Sequence, residues 1–140
     1  METSSSSGIA VNSECIDVFQ SLKIGKKVKY IIYKLSDDKK SIVVEKQSAA
    51  GSYDEFTSDL PSDDCRYAVF DFEYKVADGD RNKIVFYAWS PESATIKSKM
   101  IYSSSKEALR KTLTGVAVEI QGTDFDEVSH EAVQEKINRV

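Results

Sequence analysis

Two segments of this 140-residue sequence constrain its fold more than any others, because each is apolar on both of its sides. They span residues 65–72 and 83–89, and in both the odd and the even positions are mainly aliphatic or aromatic. A strand with one solvent-facing side alternates apolar with polar residues, whereas a strand buried on both faces does not. We therefore expect these two strands in the middle of a sheet that is covered by helices above and below.

The remaining patterns supply the rest of such a fold. Strong β-formers flank the polar turn 36–40, and the turn Asp78-Gly79-Asp80 joins the two central strands. The other predicted elements are a helix from Asn12 or Ser13 to about residue 22, strands 28–35, 42–46 and 116–121, a short helix after the capping box Ser52-x-x-Glu55, and a last helix from Ser129 to Arg139. The predicted class is α/β or α+β, with one mixed central sheet flanked by helices on both faces. We expect one domain over residues 8–140, preceded by a flexible serine-rich tail at residues 1–7.

A long helix is predicted between Ser90-Pro91, which suits a helix start, and Gly115, which suits a helix end. At about 100° per residue, one face of this helix is typical of a core face. That face contains Ile101, Tyr102, Ser105, Ala108, Leu109, Thr112 and Leu113. The opposite face places Ile96 and Met100 among positive charges, as in a helix that binds a protein partner.

Spacing alone leaves a second interpretation equally open, in which this helix is merely amphipathic. Ser104-x-x-Glu107 is another capping box, so the helix could kink or restart there. A kink would rotate one half against the other and could bury Met100.

Charge is distributed unevenly along the chain. The net charge is −4, which argues against a general nucleic-acid-binding protein. Residues 91–113 nevertheless carry five cations and two acids, a net charge of +3, so the remainder carries −7. A cationic element on an acidic body indicates a local site for an acidic partner.

Several other kinds of site are not indicated. No apolar run is long enough to span a bilayer, and the polar start of the chain is unlike a signal peptide. Cys15 and Cys65 are expected to be reduced and buried, and together with the single His130 they do not form a metal ligand set. No phosphate-binding loop or nucleophile motif is present, so we expect neither an enzyme nor a cofactor.

Six motifs together give the sequence a resemblance to a known family. They are SGIAV (7–11), YAVFDFEY (67–74), WSPE (89–92), KSKMIY (97–102), KEALRK (106–111) and QGTDF (121–125). The chain resembles the ADF/cofilin family of actin-depolymerising proteins over almost its whole length, and its short loops are most similar to those of fungal cofilins.

The resemblance implies a monomer that binds actin monomers and filaments, prefers ADP-actin, and severs and depolymerises filaments. It also implies phosphoinositides as competing ligands and cyclase-associated or other actin-interacting proteins as cofactors in turnover, with no nucleic-acid partner. The implied location is the cytoplasmic actin cytoskeleton, including cortical patches. Entry into the nucleus stays open, because no long basic run is present.

Functional residues follow from the resemblance by position. The surface for monomers and filaments would comprise Ser7, Gly8, Ile9, Ile96, Lys97, Lys99, Met100, Arg110 and Lys111. The additional filament surface would comprise Arg81, Lys83, Glu135, Lys136 and Arg139. Ser7 falls on the inhibitory phosphorylation position.

Three departures from the family pattern qualify this assignment. The tail before Ser7 is longer than usual, Thr95 stands where many members have proline, and Lys136 replaces a common arginine. Thr95 is expected to leave the entry to the long helix less fixed. Lys136 keeps the charge but loses bidentate pairing.

The alternative function is a phosphoinositide-binding module without severing activity. It would use four lysines, Lys26, Lys27, Lys97 and Lys99.

Overall fold

The structure, a computed structural model, describes residues 3–4, 8–49 and 51–139. Seven strands and four helices follow one another along these residues. Their bounds are β1 Thr3–Ser4, β2 Ala10–Val11, α1 Ser13–Lys23, β3 Tyr30–Leu35, β4 Ser41–Ser48, α2 Tyr53–Ser58, β5 Arg66–Val76, β6 Gly79–Trp89, α3 Ile96–Arg110, β7 Val116–Gly122 and α4 His130–Asn138. Ser7 lies outside the described residues, as does most of the predicted tail.

The strands form one mixed sheet in the order β1-β2-β4-β3-β5-β6-β7. The pairs β2–β4 and β6–β7 are parallel, and the remaining pairs are antiparallel. The two strands that are apolar on both sides, β5 and β6, are neighbours inside the sheet, as predicted. Their pairing is longer than predicted because Gly79, at φ +138°, moves the turn to residues 77–78 and extends the hairpin.

Helices cover both faces of the sheet and divide the core into two layers. Helices α1 and α3 pack on one face, where Phe19 and Leu109 meet Tyr67 and Phe86. Helices α2 and α4 pack on the other face, where Phe56 and Val133 belong to the second layer of the core. This arrangement explains why the buried stretches of β5 and β6 are mainly apolar on both sides, and it confirms the predicted fold class.

Three of the helices start at the predicted caps. The Oδ1 of Asn12 accepts a hydrogen bond from Glu14 N at 2.9 Å, and the Oγ of Ser129 accepts from Ala132 N at 3.1 Å. Ser52 caps α2 through Glu55 N at 3.1 Å. The side chain of Glu55 does not return to Ser52, because Tyr30 Oη and Ser48 Oγ both donate to its carboxylate.

The start of α3 differs from the prediction. Ser90 does not cap it, because the N–H of Ser90 donates to Gly122 O at 2.8 Å and so continues the pairing of β6 with β7. Pro91 and Ala94 form a turn, and α3 begins at Ile96 with Thr95 as its cap. The Oγ1 of Thr95 accepts from Ser98 N at 3.1 Å, so threonine holds this entry with a hydrogen bond that a proline side chain could not accept. That the entry is less fixed than with proline stays a prediction.

Helix α3 also shows no kink or restart at the serines. It is continuous from Ile96 to Arg110, and Ser104 Oγ donates to Ile101 O at 3.1 Å within the helix. Because the helix continues, the two faces computed from the sequence hold along its whole length.

Candidate functional site

Two large apolar side chains on α3 point into solvent. Ile96 is 76% exposed and Met100, one turn later, is 66% exposed. The alternative in which a kink buries Met100 is therefore wrong. Apolar side chains this exposed cost free energy in water, and an adjacent pair is typical of a surface that a partner covers.

Two buried hydrogen bonds and one partly buried one fix which face of α3 turns outward. The hydroxyl of Tyr102 accepts from Leu35 N at 2.9 Å, and Tyr67 Oη donates to the carbonyl of Tyr102. At the N-terminal end, Ser98 Oγ donates to Asp64 Oδ1 at 2.9 Å. Rotation of the helix about its axis would break all three contacts, so the outward position of Met100 is set by the core.

The charges around Asp64 support the same attachment of α3 to the core. Partial burial raises the pKa of Asp64, but hydrogen bonds from Arg66, from Cys65 N–H and from Ser98 outweigh it, and the net pKa is lowered. Burial likewise raises the pKa of Tyr102, so its hydroxyl stays protonated at neutral pH. The contacts of Asp64 and Tyr102 that attach α3 to the core are therefore in place at neutral pH.

The cations of α3 differ in how freely they can reach a partner. The side chains of Lys97 and Lys111 are exposed and make no hydrogen bond or ion pair with the residues that the structure describes. Lys99 is half-buried and donates to Glu92 O at 3.0 Å. The side chain of Arg110 is 30% exposed and lies beside Glu119, for which the sequence predicts no role.

The N-terminal part of the predicted surface is only partly described. Gly8 is exposed and has φ +82°, a conformation that favours glycine. The side chain of Ile9 is buried in the core between the sheet and helices α1 and α3, so it can position this segment but offers little side-chain surface to a partner. Ser7 lies outside the described residues.

The residues predicted for a second filament surface fall on two elements. On β6, Arg81 pairs with Asp78 at 3.0 Å, and Lys83 is half-buried in the ladder opposite Phe72. On α4, Glu135 and Arg139 form an ion pair on the exposed side of the helix. Also on α4, Lys136 Nζ donates to the carbonyl of Glu119 at 2.9 Å.

The four lysines predicted for phosphoinositides do not form one cluster. Lys26 forms an ion pair with the buried Asp71 at 3.2 Å, and Lys27 is next to it in the chain. Lys97 and Lys99 lie on the first turn of α3, which is attached to Asp64 near the opposite end of β5. At about 3.3 Å per residue, the stretch of β5 from residue 66 to 71 alone separates the two pairs by roughly 17 Å.

Two residues of structural importance were not predicted from the sequence. Asp71 is buried. Its carboxylate forms an ion pair with Lys26 and accepts a hydrogen bond from Asn82 Nδ2 at 2.9 Å, so it joins the loop after α1 to β6. Glu119 connects β7 to both α3 and α4. Neither has a local sequence signal, because in both cases the partners are distant in the chain.

Within the described residues, no helix is both long and apolar enough to span a bilayer. The same residues contain no group of three or more histidine, cysteine, aspartate or glutamate side chains placed to bind a metal ion. Cys15 and Cys65 are free thiols and buried, as predicted.

Comparison with known proteins identifies the family. Residues 8–138 match the family described as cofilin/tropomyosin-type actin-binding protein. The chain belongs to the cofilin family. It is 58% identical over 137 residues to the cofilin of Ogataea parapolymorpha, with 96% of each chain covered. It is 56% identical over 135 residues to the cofilin of Mycosarcoma maydis, covering 96% of this chain and 97% of that relative.

Solved structures of the cofilin family have the same fold. A crystal structure of Streptomyces griseoflavus cofilin matches with a TM-score of 0.91 at 53% identity, covering 94% of this chain and 98% of that one. Plasmodium berghei actin depolymerization factor 2 matches with a TM-score of 0.84 at 32% identity, covering 95% and 98%. The predicted resemblance to fungal cofilins is confirmed, and the prediction that the chain is not an enzyme agrees with a family of actin-binding proteins.

Proposed function

We propose that this chain binds actin monomers and filaments, severs and depolymerises filaments, prefers ADP-actin, and acts in the cytoplasmic actin cytoskeleton, including cortical patches. The observation that carries this proposal is the exposed pair Ile96 and Met100 on a helix whose orientation is fixed by buried hydrogen bonds. Family membership supplies the partner, because both the family description and the name of the Plasmodium berghei relative refer to actin.

The docking mechanism follows from the chemistry of α3. Ile96 and Met100 enter an apolar cleft on actin, which removes their exposed surface from water. Lys97 and Lys111 are free to meet acidic groups at the rim of that cleft, which speeds encounter and sets orientation. The same cations would attract phosphoinositides, which then compete with actin for this face.

Filament disassembly requires a second contact. Arg81 and Lys83 on β6, with Glu135, Lys136 and Arg139 on α4, would meet a neighbouring actin protomer. If binding favours a changed twist between protomers, the filament equilibrium shifts towards weaker contacts without any covalent step.

Phosphorylation of Ser7 would oppose docking. A phosphate adds about two negative charges next to a cationic surface that must meet acidic groups. We expect Ser7→Glu to weaken monomer binding several-fold. Unchanged affinity would remove Ser7 from the proposal.

Co-sedimentation with actin filaments tests the proposal. The variant Lys97→Ala/Lys99→Ala should pellet less than the native chain at equal actin concentration. Its matched control is Lys23→Ala/Lys27→Ala, which removes the same charge from the last residue of α1 and the loop after it, and should pellet like the native chain. Equal pelleting of all three proteins would contradict the assignment of the site to α3.

A vesicle experiment separates the proposal from the lipid-binding alternative. A phosphoinositide-binding module without severing activity would pellet with phosphoinositide vesicles and ignore filaments. The separation of Lys26 and Lys27 from Lys97 and Lys99 argues against a single lipid site.

A further inference from the structure

One glutamate on the edge strand β7 joins the two helices that carry the proposed actin surfaces. Glu119 is half-buried, and its Oε2 lies 2.8 Å from Lys106 Nζ. Its Oε1 lies 3.4 Å from Arg110 Nε. Its main-chain carbonyl accepts a hydrogen bond from Lys136 Nζ, on the opposite side of the sheet, at 2.9 Å. Glu119 therefore contacts α3 through its side chain and α4 through its backbone.

The contact with Arg110 leaves the outer part of the guanidinium uncommitted. The Nε of Arg110 is buried and lies 3.4 Å from Glu119 Oε1, where it forms an ion pair but no hydrogen bond. Its two terminal nitrogens make no hydrogen bond with any residue in the described ranges. These terminal nitrogens form the planar fork that binds a carboxylate with two parallel hydrogen bonds.

Lys106 and Arg110, the two α3 cations beside Glu119, would repel each other without the negative charge between them. Lys106 and Arg110 are four residues apart and therefore neighbours on the helix surface, where like charges repel each other. The carboxylate of Glu119 offsets this repulsion and holds both side chains against β7. Long side chains that are already ordered lose less conformational freedom when a partner binds.

We propose that Glu119 is a positioning residue of the actin-binding surface, which holds the guanidinium of Arg110 through the ion pair at its Nε and directs the guanidinium fork at a carboxylate of actin. This inference rests on the proposed function and adds a residue that touches no partner itself. Because Lys136 is bound to the same residue, Glu119 also fixes β7 relative to the filament surface on α4.

The first test is the affinity for actin monomers, measured with native actin and the full chain. Glu119→Gln should weaken binding by at least about threefold, as expected for the loss of a contact that couples two neighbours. The matched control is Glu107→Gln on the exposed face of α3, because the Glu107 side chain makes no hydrogen bond or ion pair with the described residues. The control removes the same charge from the surface without removing an ion-pair partner of Arg110.

The control separates the positioning of Arg110 from a simple change in the electrostatic potential of the surface. Loss of one negative charge near a cationic surface should by itself strengthen binding to an acidic partner, and Glu107→Gln should therefore bind equally or more tightly. If Glu119→Gln also binds equally or more tightly, the proposal is overturned.

A double-mutant cycle tests whether Glu119 acts through Arg110. In an Arg110→Lys background the charge is kept but the fork is lost, so adding Glu119→Gln should cause no further loss. Additive losses would overturn the proposal. Thermal unfolding of each variant establishes that the affinities refer to folded protein.

An NMR measurement tests the positioning without any partner. Exchange of the Arg110 Nε proton with water should be slower in the native chain than in Glu119→Gln, and Glu107→Gln should match the native chain. Equal exchange in all three would overturn the inference even if actin binding is confirmed. If no variant and no native chain binds actin while the exchange differs as expected, the proposed function fails and the positioning of Arg110 by Glu119 stands.

Discussion

The main-chain N–H of Leu35, at the end of β3, donates a buried hydrogen bond of 2.9 Å to the hydroxyl of Tyr102 in α3. This contact joins residues 67 positions apart and attaches the helix with the proposed site to the central sheet. It explains how a helix with few large core residues keeps a single orientation.

Removal of that hydroxyl should destabilise the protein. Tyr102→Phe leaves the N–H of Leu35 buried without a partner, which should lower the free energy of unfolding by about 1–3 kcal/mol. Chemical denaturation measures this change. Tyr74→Phe is the matched control, because Tyr74 is half-buried and its hydroxyl has no partner among the described residues, so a change within about 0.5 kcal/mol is expected. Equal effects of the two substitutions would contradict the role of the Leu35 contact.

Helix α3 should depend on Thr95 for its start. Thr95→Ala removes the acceptor for Ser98 N and should cost about 0.5–2 kcal/mol of stability, with faster amide exchange in the first turn. Ser90→Ala should leave that first turn unchanged, because Ser90 does not cap the helix. The opposite pattern would place the cap at Ser90.

Acid should weaken the attachment of α3 to the strand. The net pKa of Asp64 is lowered in the folded state, because contacts with Arg66, Cys65 N–H and Ser98 outweigh the effect of partial burial. Its contribution to stability is therefore complete above the unfolded pKa, about 3.9, and is lost as the pH falls through the lower folded value.

Stability curves measured from pH 2 to pH 7 with Asp64→Asn would show this contribution, since the acid-dependent loss of stability should be smaller in that variant. Asp63→Asn controls for loss of charge at the neighbouring position, where no described contact is broken. An identical pH dependence in the native chain and Asp64→Asn would refute this prediction.

The thiol of Cys15 should be unreactive in the folded protein. Burial, with a smaller effect of Glu14, raises the pKa of Cys15 to about 12, and Cys65 is also fully buried. Iodoacetamide at neutral pH should modify neither cysteine of the native chain and both cysteines of the denatured chain, as measured by mass spectrometry. Rapid modification of Cys15 in the folded state would contradict its burial.

The sequence predicted most of the architecture because the signals involved are local. Alternation in β5 and β6 identified a doubly covered sheet, and serine or asparagine caps located α1, α2 and α4. Periodicity also placed Ile96 and Met100 on the outer face of α3, where the structure has them.

The errors and omissions arose where distant parts of the chain decide the outcome. The sequence around Ser90 is typical of a helix cap, but the N–H of Ser90 donates to Gly122 O and extends the β6–β7 pairing. The cap of α3 is Thr95 instead. Asp71 and Glu119 look like ordinary surface acids, and only the fold brings lysines and an arginine to them. The burial of Ile9 likewise depends on how the segment before α1 packs against the core.

The affinity of the Met100→Ser variant for actin monomers tests the central claim most directly. The control is Ile24→Ser, which replaces a similarly exposed apolar residue (72% against 66% exposed) just after α1. The account predicts that Met100→Ser weakens binding by about tenfold or more, as for a central interface residue, with unchanged thermal stability, and that Ile24→Ser binds like the native chain. Native affinity in a folded Met100→Ser variant would contradict the claim that actin covers this face of α3.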